Sequence, residues 1–465
     1  MRNLPERGSG LYLFLIAATA ALGGLLFGYD TAVISGAVGP IREHFHLGAG
    51  LQGLAASSML IGCIFGAMLA GPLGDAFGRK PVLFACALLF AASGVAAALP
   101  RVLNEFLAAR FAGGLAIGAV SILSPLYIAE VSPERIRGRL VALYQLAIVL
   151  GILLVFFVNL EIQRLGDEAW NVAYGWRWMM GSLAVPSILF WFFLLPVPES
   201  PRWLLKAGRR EEAGAILARV GGRETALGEI ERIQESLAEE RGTVLDLLRA
   251  GYVQPLVVGV GLAAVCQLSG INAIMYYAPE IFKSVGAGSD SAYSDTVVIG
   301  VVNVLFTFVA IAYVDRAGRR ALLLAGSAVQ VVALGGVGAM FALGIGGYPL
   351  LACILLFVAA FAVAMGPIPW IVISEIFPTR FRGSAMSVAV FVLWLSDYVV
   401  TQTFPVLREA IGGAATFWIY AACSLAGLAF VAAVVPETKG RTLEEIEKSW
   451  RARGRTEASP QPQAG

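Results

Sequence analysis

The sequence DAFGRK at residues 75–80 returns as DRAGRR at residues 315–320, 240 positions later. Two further motifs return in the same order, at offsets of 245 and 238 positions. They are Glu130-x-x-Pro-x-x-x-Arg-Gly138 with Glu375-x-x-Pro-x-x-x-Arg-Gly383, and Pro198-Glu-Ser200 with Pro436-Glu-Thr438. Three nearly equal offsets indicate two copies of one structural unit.

The composition indicates a membrane protein rather than a soluble one. Of 465 residues, 58% are hydrophobic and 14% are charged, and the mean hydropathy is +0.76. Soluble domains have about 45–50% apolar and about 25% charged residues. The formal net charge of +2 gives no reason to expect a nucleic-acid partner. All five cysteines fall in apolar runs, so we expect neither a disulfide framework nor a metal site.

Apolar runs bounded by charges, glycine and proline predict twelve membrane spans. We expect all of them to be helical, because an open sheet edge leaves backbone groups unpaired in lipid. The first set covers residues 11–37, 51–72, 81–99, 106–129, 140–160 and 177–196. The second set covers residues 254–282, 296–314, 321–343, 348–374, 384–407 and 414–435. The predicted fold is an all-α membrane protein with two pseudo-symmetric six-helix bundles, related by an axis along the membrane normal.

The placement of basic residues predicts the orientation. Of the 34 Lys and Arg residues, 27 fall in the N-terminus, the C-terminal tail and the connections of one side. Six fall on the opposite side, and Arg110 lies inside span 4. Short basic loops stay in the cytoplasm. We therefore predict a multi-pass cell-membrane protein with both termini in the cytoplasm.

Four segments follow from the spans. They are an N-terminal bundle at 1–198, a linker at 199–253, a C-terminal bundle at 254–436 and a tail at 437–465. In the linker, apolar residues recur at steps of three and four among charged residues, which predicts amphipathic helices at the cytoplasmic surface. The tail starts with a similar pattern and then becomes polar, so we expect its end to be disordered.

These motifs carry a resemblance that covers residues 11–450. The chain resembles the sugar porter family of the major facilitator superfamily through the repeated motifs and through four longer ones. These are GYDTAVISG at 28–36, PESPRWLL at 198–205, QLSGIN at 267–272 and PETKGR at 436–441. The resemblance implies a twelve-helix carrier of a monosaccharide or polyol that works by rocking of two bundles, similar to proton-coupled bacterial symporters.

Two charged side chains are predicted to lie inside the membrane, Asp30 in span 1 and Arg110 in span 4. Asp30 lies about 28 Å along span 1 from Leu11, and Arg110 lies near the start of a span that begins outside, so the two can pair. The pair is either a permanent brace or a proton-coupling site, and we favour coupling because an intramembrane Asp commonly marks a proton relay. The Tyr29-Asp30 motif resembles the coupling site of proton-driven sugar porters, whereas facilitative relatives commonly have Asn there.

A neutral sugar needs amides that both donate and accept hydrogen bonds, and an aromatic face against its C–H surface. The resemblance assigns sugar contacts to Gln145, Gln267, Asn272, Asn303 and Trp370. For each amide the alternative is a hydrogen bond between helices, and for the tryptophan it is ordinary packing. Two prolines just before this tryptophan, in GPIP at 366–369, predict an interrupted span 10 near the cavity.

Weaker candidates for contacting or gating the substrate are Phe27, Tyr276, Tyr277, Trp394 and Asp397. For the four aromatic residues packing is an equal alternative. Asp397 is a sugar-hydroxyl acceptor, an auxiliary proton site or a residue facing a wet outer vestibule, and we expect the vestibule. The family usually has two glutamines at the start of the span 7 motif, and the first is Cys266 here. A lost amide leaves a ligand hydroxyl unpaired, which can change substrate preference.

The repeated charges are predicted to form paired networks that hold the cytoplasmic face shut. The alternative is that they only cap helices and follow the bias of basic residues toward the cytoplasm. We favour gating, because the same spacing occurs twice. The predicted gating charges are Asp75, Arg79, Glu130, Arg137, Asp315, Arg319, Glu375 and Arg382.

The predicted function is import of a monosaccharide, a hexose or pentose, by proton symport with alternating access. A facilitative sugar or polyol uniporter is the first alternative, and a sugar sensor on a carrier scaffold is the second. An enzyme is not expected, because His44 and His46 lie in the first outer loop and no nucleophile–base cluster occurs. We expect no cofactor, no catalytic residue and no obligate protein partner. The expected partners are the sugar, the proton and the lipid bilayer.

Overall fold

A computed structural model describes residues 5–6, 8–238, 244–249, 252–377 and 381–439, without the side chains of Ala238, Val244, Asp315, Ser374 and Arg382. These residues form helices and turns, with no strand among them. The prediction for the C-terminal tail lies almost entirely outside the described residues.

The first half of the chain contains six membrane spans. Spans 1 to 5 are single helices, Gly10–His44, Ala49–Phe77, Arg79–Ala98, Leu103–Val131 and Glu134–Gln163. Span 6, Glu168–Leu194, consists of a short helix, a π-helical turn at Asn171–Gly175 and the helices Trp176–Gly181 and Ala184–Leu194.

The second half also contains six spans. Span 7 is Val253–Leu268 followed by Ile271–Lys283, span 8 is Ser289–Ala317, span 9 is Arg319–Leu343, and span 10 is Tyr348–Val363 followed by Ile368–Ile376. Spans 11 and 12 run together as Arg382–Val434 over 53 residues, with non-helical Gly412 (φ 83°) between them. About 20 residues cross a bilayer, so this segment crosses twice. The twelve-helix fold is confirmed.

Several helices extend beyond the predicted spans, and span 1 and span 6 are two of those that differ most. Span 1 was expected to end at residue 37, but its helix continues through Pro40 to His44. His44 is therefore the last helical residue, and His46 lies in the following turn with φ 52°. Span 6 begins nine residues earlier than expected because the π-helical turn extends it. A π-helix has no hydrophobic signature of its own, so the apolar pattern did not predict it.

Two spans are broken near the middle of the bundle. Span 10 is interrupted between Val363 and Ile368, as the prolines at 367 and 369 predicted, because neither has an N–H to donate. Span 7 is interrupted at Gly270, which has a left-handed φ of 82°. A Cβ at this glycine would lie 2.8 Å from the ring of Tyr420. These breaks leave backbone groups and side chains directed into the space between helices.

Close backbone contact positions the helices that carry the charged pair. A Cβ at Gly114 in span 4 would lie 1.9 Å from the carbonyl oxygen of Met59 in span 2. A Cβ at Gly28 in span 1 would lie 1.9 Å from the carbonyl oxygen of Ile148 in span 5. Only glycine permits such contacts, which are typical of packing between membrane helices. Asp30 and Arg110 lie within four residues of these crossing points.

The linker forms the amphipathic helices that the sequence predicts, at Pro201–Lys206, Arg210–Gly221, Arg223–Ala238 and Val244–Arg249. The first three share a small apolar core that includes Leu204, Leu217 and Ile230. We call the end of the bundle that carries these helices the linker side and the opposite end the far side. Span 1 starts on the linker side, where the backbone N–H of Ser9 donates to the carbonyl oxygen of Arg219 at 2.8 Å.

Candidate functional site

A buried ion pair joins span 1 to span 4, as predicted. Arg110 Nη1 donates to Asp30 Oδ1, and Nη2 donates to the backbone carbonyl oxygen of Asp30 at 3.1 Å. Arg110 Nη2 also lies 2.9 Å from the thioether sulfur of Met59. The Asp30 and Arg110 side chains are 0% and 3% exposed. Water therefore does not screen this pair, and its charge state affects the packing of both helices.

One oxygen of the Asp30 carboxylate is left over. Oδ2 has no hydrogen-bond partner among the described residues. It faces Gly113, where a Cβ would lie 3.0 Å from Oδ2 and 3.0 Å from the hydroxyl of Ser93. Because glycine leaves this space open, the arrangement provides an oxygen at which a proton can bind.

An amide cluster lies at the break in span 7. Asn272 Nδ2 donates to Gln267 Oε1 at 2.9 Å, across the turn that Gly270 forms. Gln267 is 8% exposed and Asn272 is partly exposed. Two predicted sugar residues are thus brought together, and each keeps polar atoms for a further partner.

Asp397 joins this amide cluster from span 11. Its Oδ1 accepts a hydrogen bond from Thr401 Oγ1 at 3.1 Å, and Asn272 and Tyr276 lie close enough to interact with its charge. Asp397 is only 1% exposed. The expectation that it faces a wet outer vestibule is therefore wrong. Span 11 packs against the second part of span 7, which buries this carboxylate, and Thr401 one turn later on span 11 donates to it.

Cys266 pairs with the broken part of span 10. Its Sγ donates to the carbonyl oxygen of Met365 at 3.2 Å. In an unbroken helix this carbonyl would accept from the residue four positions later, which is Pro369 and has no N–H. The thiol therefore satisfies a carbonyl that the proline leaves unpaired, and it ties span 7 to span 10.

The remaining predicted sugar residues lie on spans 5, 8 and 10. Gln145 in span 5 and Trp370 in span 10 are partly exposed, and Asn303 in span 8 is 6% exposed. The side-chain amides of Gln145 and Asn303 have no hydrogen-bond partner in the part of the chain that the structure describes. Their grouping around one bound sugar stays a prediction.

The aromatic candidates separate into two groups. Phe27 of span 1 and Trp394 of span 11 meet with ring centroids 5.5 Å apart, which joins the two halves. Trp394 Nε1 is buried and has no acceptor within the described ranges, so it remains available as a donor. Tyr277 instead donates to the carbonyl oxygen of Thr401 at 3.1 Å and packs against Phe404 with centroids 5.0 Å apart. Packing is therefore the better interpretation for Tyr277.

The charge cluster of the first half is centred on Arg79. Its Nε and Nη2 donate to the two carboxylate oxygens of Glu130 at 3.0 Å each, and Nη1 donates to Asp75 Oδ1 at 3.0 Å. The Arg79 and Glu130 side chains are each 5% exposed. Arg137 donates instead to the backbone carbonyl oxygen of Ser132 at 3.4 Å. The Arg79 cluster joins spans 2, 3 and 4 on the linker side.

The charge cluster of the second half has the same plan. Arg319 Nη2 donates to Glu375 Oε1 at 3.3 Å, with side chains 13% and 26% exposed. The side chains of Asp315 and Arg382, which belong to the same predicted set, lie outside the described residues. Within each cluster, the contacts join helices of the same half. Closure of the linker side by these charges stays a prediction.

Two carboxylates missing from the predicted site belong to these clusters. Glu199 accepts from the backbone N–H groups of the first two residues of span 3, at 3.0 and 3.2 Å. Glu437 accepts from the first two residues of span 9, at 3.0 and 3.1 Å. Each carboxylate caps a helix N-terminus, where unpaired N–H groups favour negative charge. The repeated Pro-Glu-Ser and Pro-Glu-Thr motifs were the signal that could have identified them.

On the far side, the two halves contact each other through polar side chains that the sequence did not single out. Arg164 Nε donates to Asp290 Oδ1 at 2.7 Å. The hydroxyl of Tyr293 donates to the carbonyl oxygen of Gly36 at 2.5 Å. These contacts depend on which loops meet, so no local pattern predicts them. They close the far side in this conformation.

The fold agrees with the comparison to known proteins. The family model "Sugar (and other) transporter" matches residues 16–450. The chain belongs to this sugar transporter family. It is a multi-pass membrane protein of the major facilitator type.

Individual relatives of this sugar transporter match it along nearly the whole chain. It is 44% identical to the arabinose-proton symporter of Bacillus subtilis, over 94% of this chain and 95% of that protein. It is 41% identical to the D-xylose-proton symporter of Escherichia coli K12, over 94% and 96%. A structure of the E. coli xylose transporter XylE in a partially occluded inward open conformation matches with a TM-score of 0.85, 38% identity and coverage of 93% and 100%.

Proposed function

We propose that this sugar transporter imports a monosaccharide together with a proton. The linker side faces the cytoplasm, both termini are cytoplasmic, and the membrane is the cell membrane. The units 1–198 and 254–436 rock about a central site that opens to one side at a time. The names of the arabinose- and xylose-proton symporters support a pentose as the first substrate to test.

The unpaired Asp30 Oδ2 is the observation that carries the proton step. A proton at this oxygen neutralises the carboxylate and weakens its hold on Arg110. Span 1 and span 4 are then free to separate, because the main attraction between them is lost. Re-formation of the pair after release of the proton returns the helices to the contact seen here.

Sugar binding is assigned to the amides Gln145, Gln267, Asn272 and Asn303, with Trp370 providing an apolar face. The amides belong to spans of both halves, so a bound sugar bridges the two units. This arrangement lets the ligand stabilise an intermediate in which neither side is open.

Tyr276 provides a route between the proton site and the sugar site. It lies close enough to Asp397 in the amide cluster, and to Arg110 and Asp30, to interact with their charges. In a low-dielectric interior such charge interactions extend over several residues. A change of charge at Asp30 therefore changes the electrostatic environment of the sugar site.

The test is uptake of labelled D-xylose and L-arabinose by proteoliposomes that have an acidic exterior. A gradient of one pH unit can drive about tenfold accumulation at a proton-to-sugar ratio of one. Asp30→Asn is expected to abolish accumulation while exchange of internal for external sugar continues. Asp167→Asn is the matched control, because it makes the same change at an exposed carboxylate, and an Asn side chain can also accept the hydrogen bond from the backbone N–H of Trp170. It should accumulate sugar as the wild type does.

Each outcome has a distinct meaning. Accumulation by Asp30→Asn at the wild-type level, still sensitive to a protonophore, excludes Asp30 as the proton site. Wild-type uptake that never exceeds equilibrium under the gradient shows a facilitative uniporter instead. Binding of sugar without uptake shows a sensor.

A further inference from the structure

Cys266 lies where the break in span 7 meets the break in span 10. The side chain is 3% exposed, and its Sγ donates at 3.2 Å to the carbonyl oxygen of Met365, which is 1% exposed. Gln267 follows Cys266 directly, and Trp370 lies in the first turn of the helix that begins after the break in span 10. The contact therefore joins two segments that carry predicted sugar residues.

The break in span 7 leaves the backbone carbonyl of Cys266 without its helical partner. In an unbroken helix this carbonyl would accept from the N–H of Gly270, but that N–H donates to the carbonyl oxygen of Gln267 at 3.0 Å. The hydroxyl of Ser269 takes its place and donates to the Cys266 carbonyl oxygen at 2.8 Å. The backbone of Cys266 is thus held within span 7, while its side chain is directed to span 10.

The break in span 10 leaves the carbonyl of Met365 in the same position. The N–H of Ile368 donates to the carbonyl oxygen of Ala364 at 3.2 Å, so the backbone forms one helical turn here. An N–H at the next position would be directed at Met365 in the same way, but Pro369 has none. An unpaired carbonyl at this buried residue would be costly, and the thiol of Cys266 provides the donor.

We propose that Cys266 is a positioning residue that sets the distance between Gln267 on span 7 and Trp370 on span 10. This inference rests on the proposed sugar transport and adds to it how the affinity of the sugar site is determined. The thiol acts through the backbone of span 10 and makes no hydrogen bond to the sugar. Without its bond to Met365, the two segments are no longer held at the separation that fits the sugar, and binding is weakened.

The experiment measures binding of labelled D-xylose and L-arabinose to the purified full-length protein in detergent at one pH, with no gradient. Cys266→Ala should weaken binding about three- to tenfold, the effect of one lost hydrogen bond. Cys266→Ser keeps a donor and should bind within about twofold of the wild type. Cys86→Ala is the matched control with wild-type affinity expected, because it removes a buried thiol from span 3, which carries no predicted sugar residue. Cys266→Val, which has no donor, replaces Cys266→Ala if the latter does not fold.

A double-mutant cycle with Pro369 shows whether the thiol acts through the Met365 carbonyl. Pro369→Ala restores an N–H directed at this carbonyl, so Cys266→Ala should cause no further loss of affinity in that background. Pro367→Ala is the control, because its new N–H is directed at the carbonyl of Val363 instead. In the Pro367→Ala background the loss caused by Cys266→Ala should remain.

Sugar analogues distinguish positioning from direct contact. If the thiol contacted one sugar hydroxyl, Cys266→Ala would cause no loss of affinity for the deoxy sugar that lacks this hydroxyl. A positioning role predicts the same loss for the parent sugar and for each of its singly deoxygenated derivatives.

The proposal is overturned if Cys266→Ala binds sugar as the wild type does, if its loss disappears with one deoxy sugar, or if its loss persists in the Pro369→Ala background. An equal loss in Cys86→Ala would also overturn it, because removal of any buried thiol would then have this effect. Failure of the wild type to bind either sugar would instead contradict the proposed function. Sugar binding by the wild type without proton-driven accumulation would contradict only the symport mechanism.

Discussion

The two linker-side charge clusters have the same hydrogen-bond plan and differ in burial. In both, an arginine at the start of a span pairs with a glutamate at the end of the following span, and a second glutamate caps the helix that the arginine begins. Arg79 and Glu130 form a two-point contact with both side chains 5% exposed. Arg319 and Glu375 meet at 3.3 Å with side chains 13% and 26% exposed.

The capping glutamates show the effect of this difference on charge. Burial raises the pKa of Glu199 above its ordinary value, and the backbone N–H groups that it accepts from do not fully offset this. Burial also acts on Glu437, but more weakly. The backbone N–H groups of Lys439 and of the first residues of span 9 outweigh it and lower the pKa of Glu437. Identical caps thus have opposite shifts, because one is shielded from solvent more than the other.

The first linker helix explains part of the difference. From Pro201–Lys206, Trp203 Nε1 donates to the backbone carbonyl oxygen of Asp75 at 3.0 Å, and Lys206 Nζ donates to Asp75 Oδ2 at 3.0 Å. This helix covers the cluster of the first half. The repeated motif therefore determines which groups form hydrogen bonds. Segments outside the repeat determine how far those hydrogen bonds are shielded from water.

The largest expected difference is between Arg79→Met and Arg319→Met. Removal of Arg79 leaves the buried Glu130 charge without its partner and should lower the free energy of unfolding by about 3–5 kcal/mol. Removal of Arg319 exposes a better-solvated carboxylate and should cost about 1 kcal/mol. Denaturant unfolding of the purified protein in detergent measures both. Equal losses would mean that burial does not distinguish the clusters.

A smaller difference is expected between Gly78→Ala and Gly318→Ala. Both glycines have positive φ, 100° and 91°, in a region essentially reserved for glycine, where another residue costs about 1–3 kcal/mol. An added Cβ would lie 2.2 Å from Glu199 Oε2 at the first position and 2.7 Å from Glu437 Oε2 at the second. The first change should therefore destabilise more, as measured by thermal unfolding.

Gly71→Ala is the control for both glycine changes. This glycine lies within the span 2 helix, and its Cβ position has open space. Alanine should leave the stability of the protein unchanged or raise it slightly, because glycine is the poorer helix former. A loss there as large as at Gly78 would show that any added methyl group destabilises this region.

The smallest expected difference is in how the two capping glutamates make the stability of the protein depend on pH. Ionised Glu437 stabilises the fold above the ordinary glutamate pKa, and this contribution is lost as the pH falls through its lowered folded value. Glu437→Gln should thus cost about 0.5 kcal/mol at pH 7, reduced by solvent screening, and nothing in acid. Ionisation of Glu199 works against the fold, so stability decreases as the pH rises through its raised value.

Glu199→Gln removes the decrease in stability with rising pH that ionisation of Glu199 causes. Relative to the wild type, the Glu199→Gln protein should gain stability as the pH rises, whereas the Glu437→Gln protein should lose it. Unfolding free energies measured from acid to neutral pH give the two slopes. Slopes of the same sign would contradict the assigned environments.

The sequence predicted the features that depend on composition and on local chemistry. Hydrophobic length predicted twelve spans, the prolines at 367 and 369 predicted the break in span 10, and matched depth predicted the contact of Asp30 with Arg110. Each of these features can be derived from the sequence of a single helix or from the depth of a residue in the bilayer.

Features that depend on contact between distant helices were not predicted. The break at Gly270, the burial of Asp397 and the bond from Cys266 to Met365 require knowledge of which spans meet. Asp397 shows this most clearly, because an acid in an apolar helix favours a wet surface unless neighbouring helices pack over it. The pattern of one span contains no information about the donors of another.

The attachment of the linker to the N-terminal half has a mechanical consequence. Ser9 bonds to Arg219, the linker helix Pro201–Lys206 bonds to Asp75, and Arg232 pairs with Glu134 at 3.3 Å. These contacts join the linker helices between residues 201 and 238 to spans of the first half. We therefore expect the linker helices up to residue 238 to move together with the first bundle during transport. Distance probes on the linker and on the first bundle should keep a constant separation throughout the transport cycle.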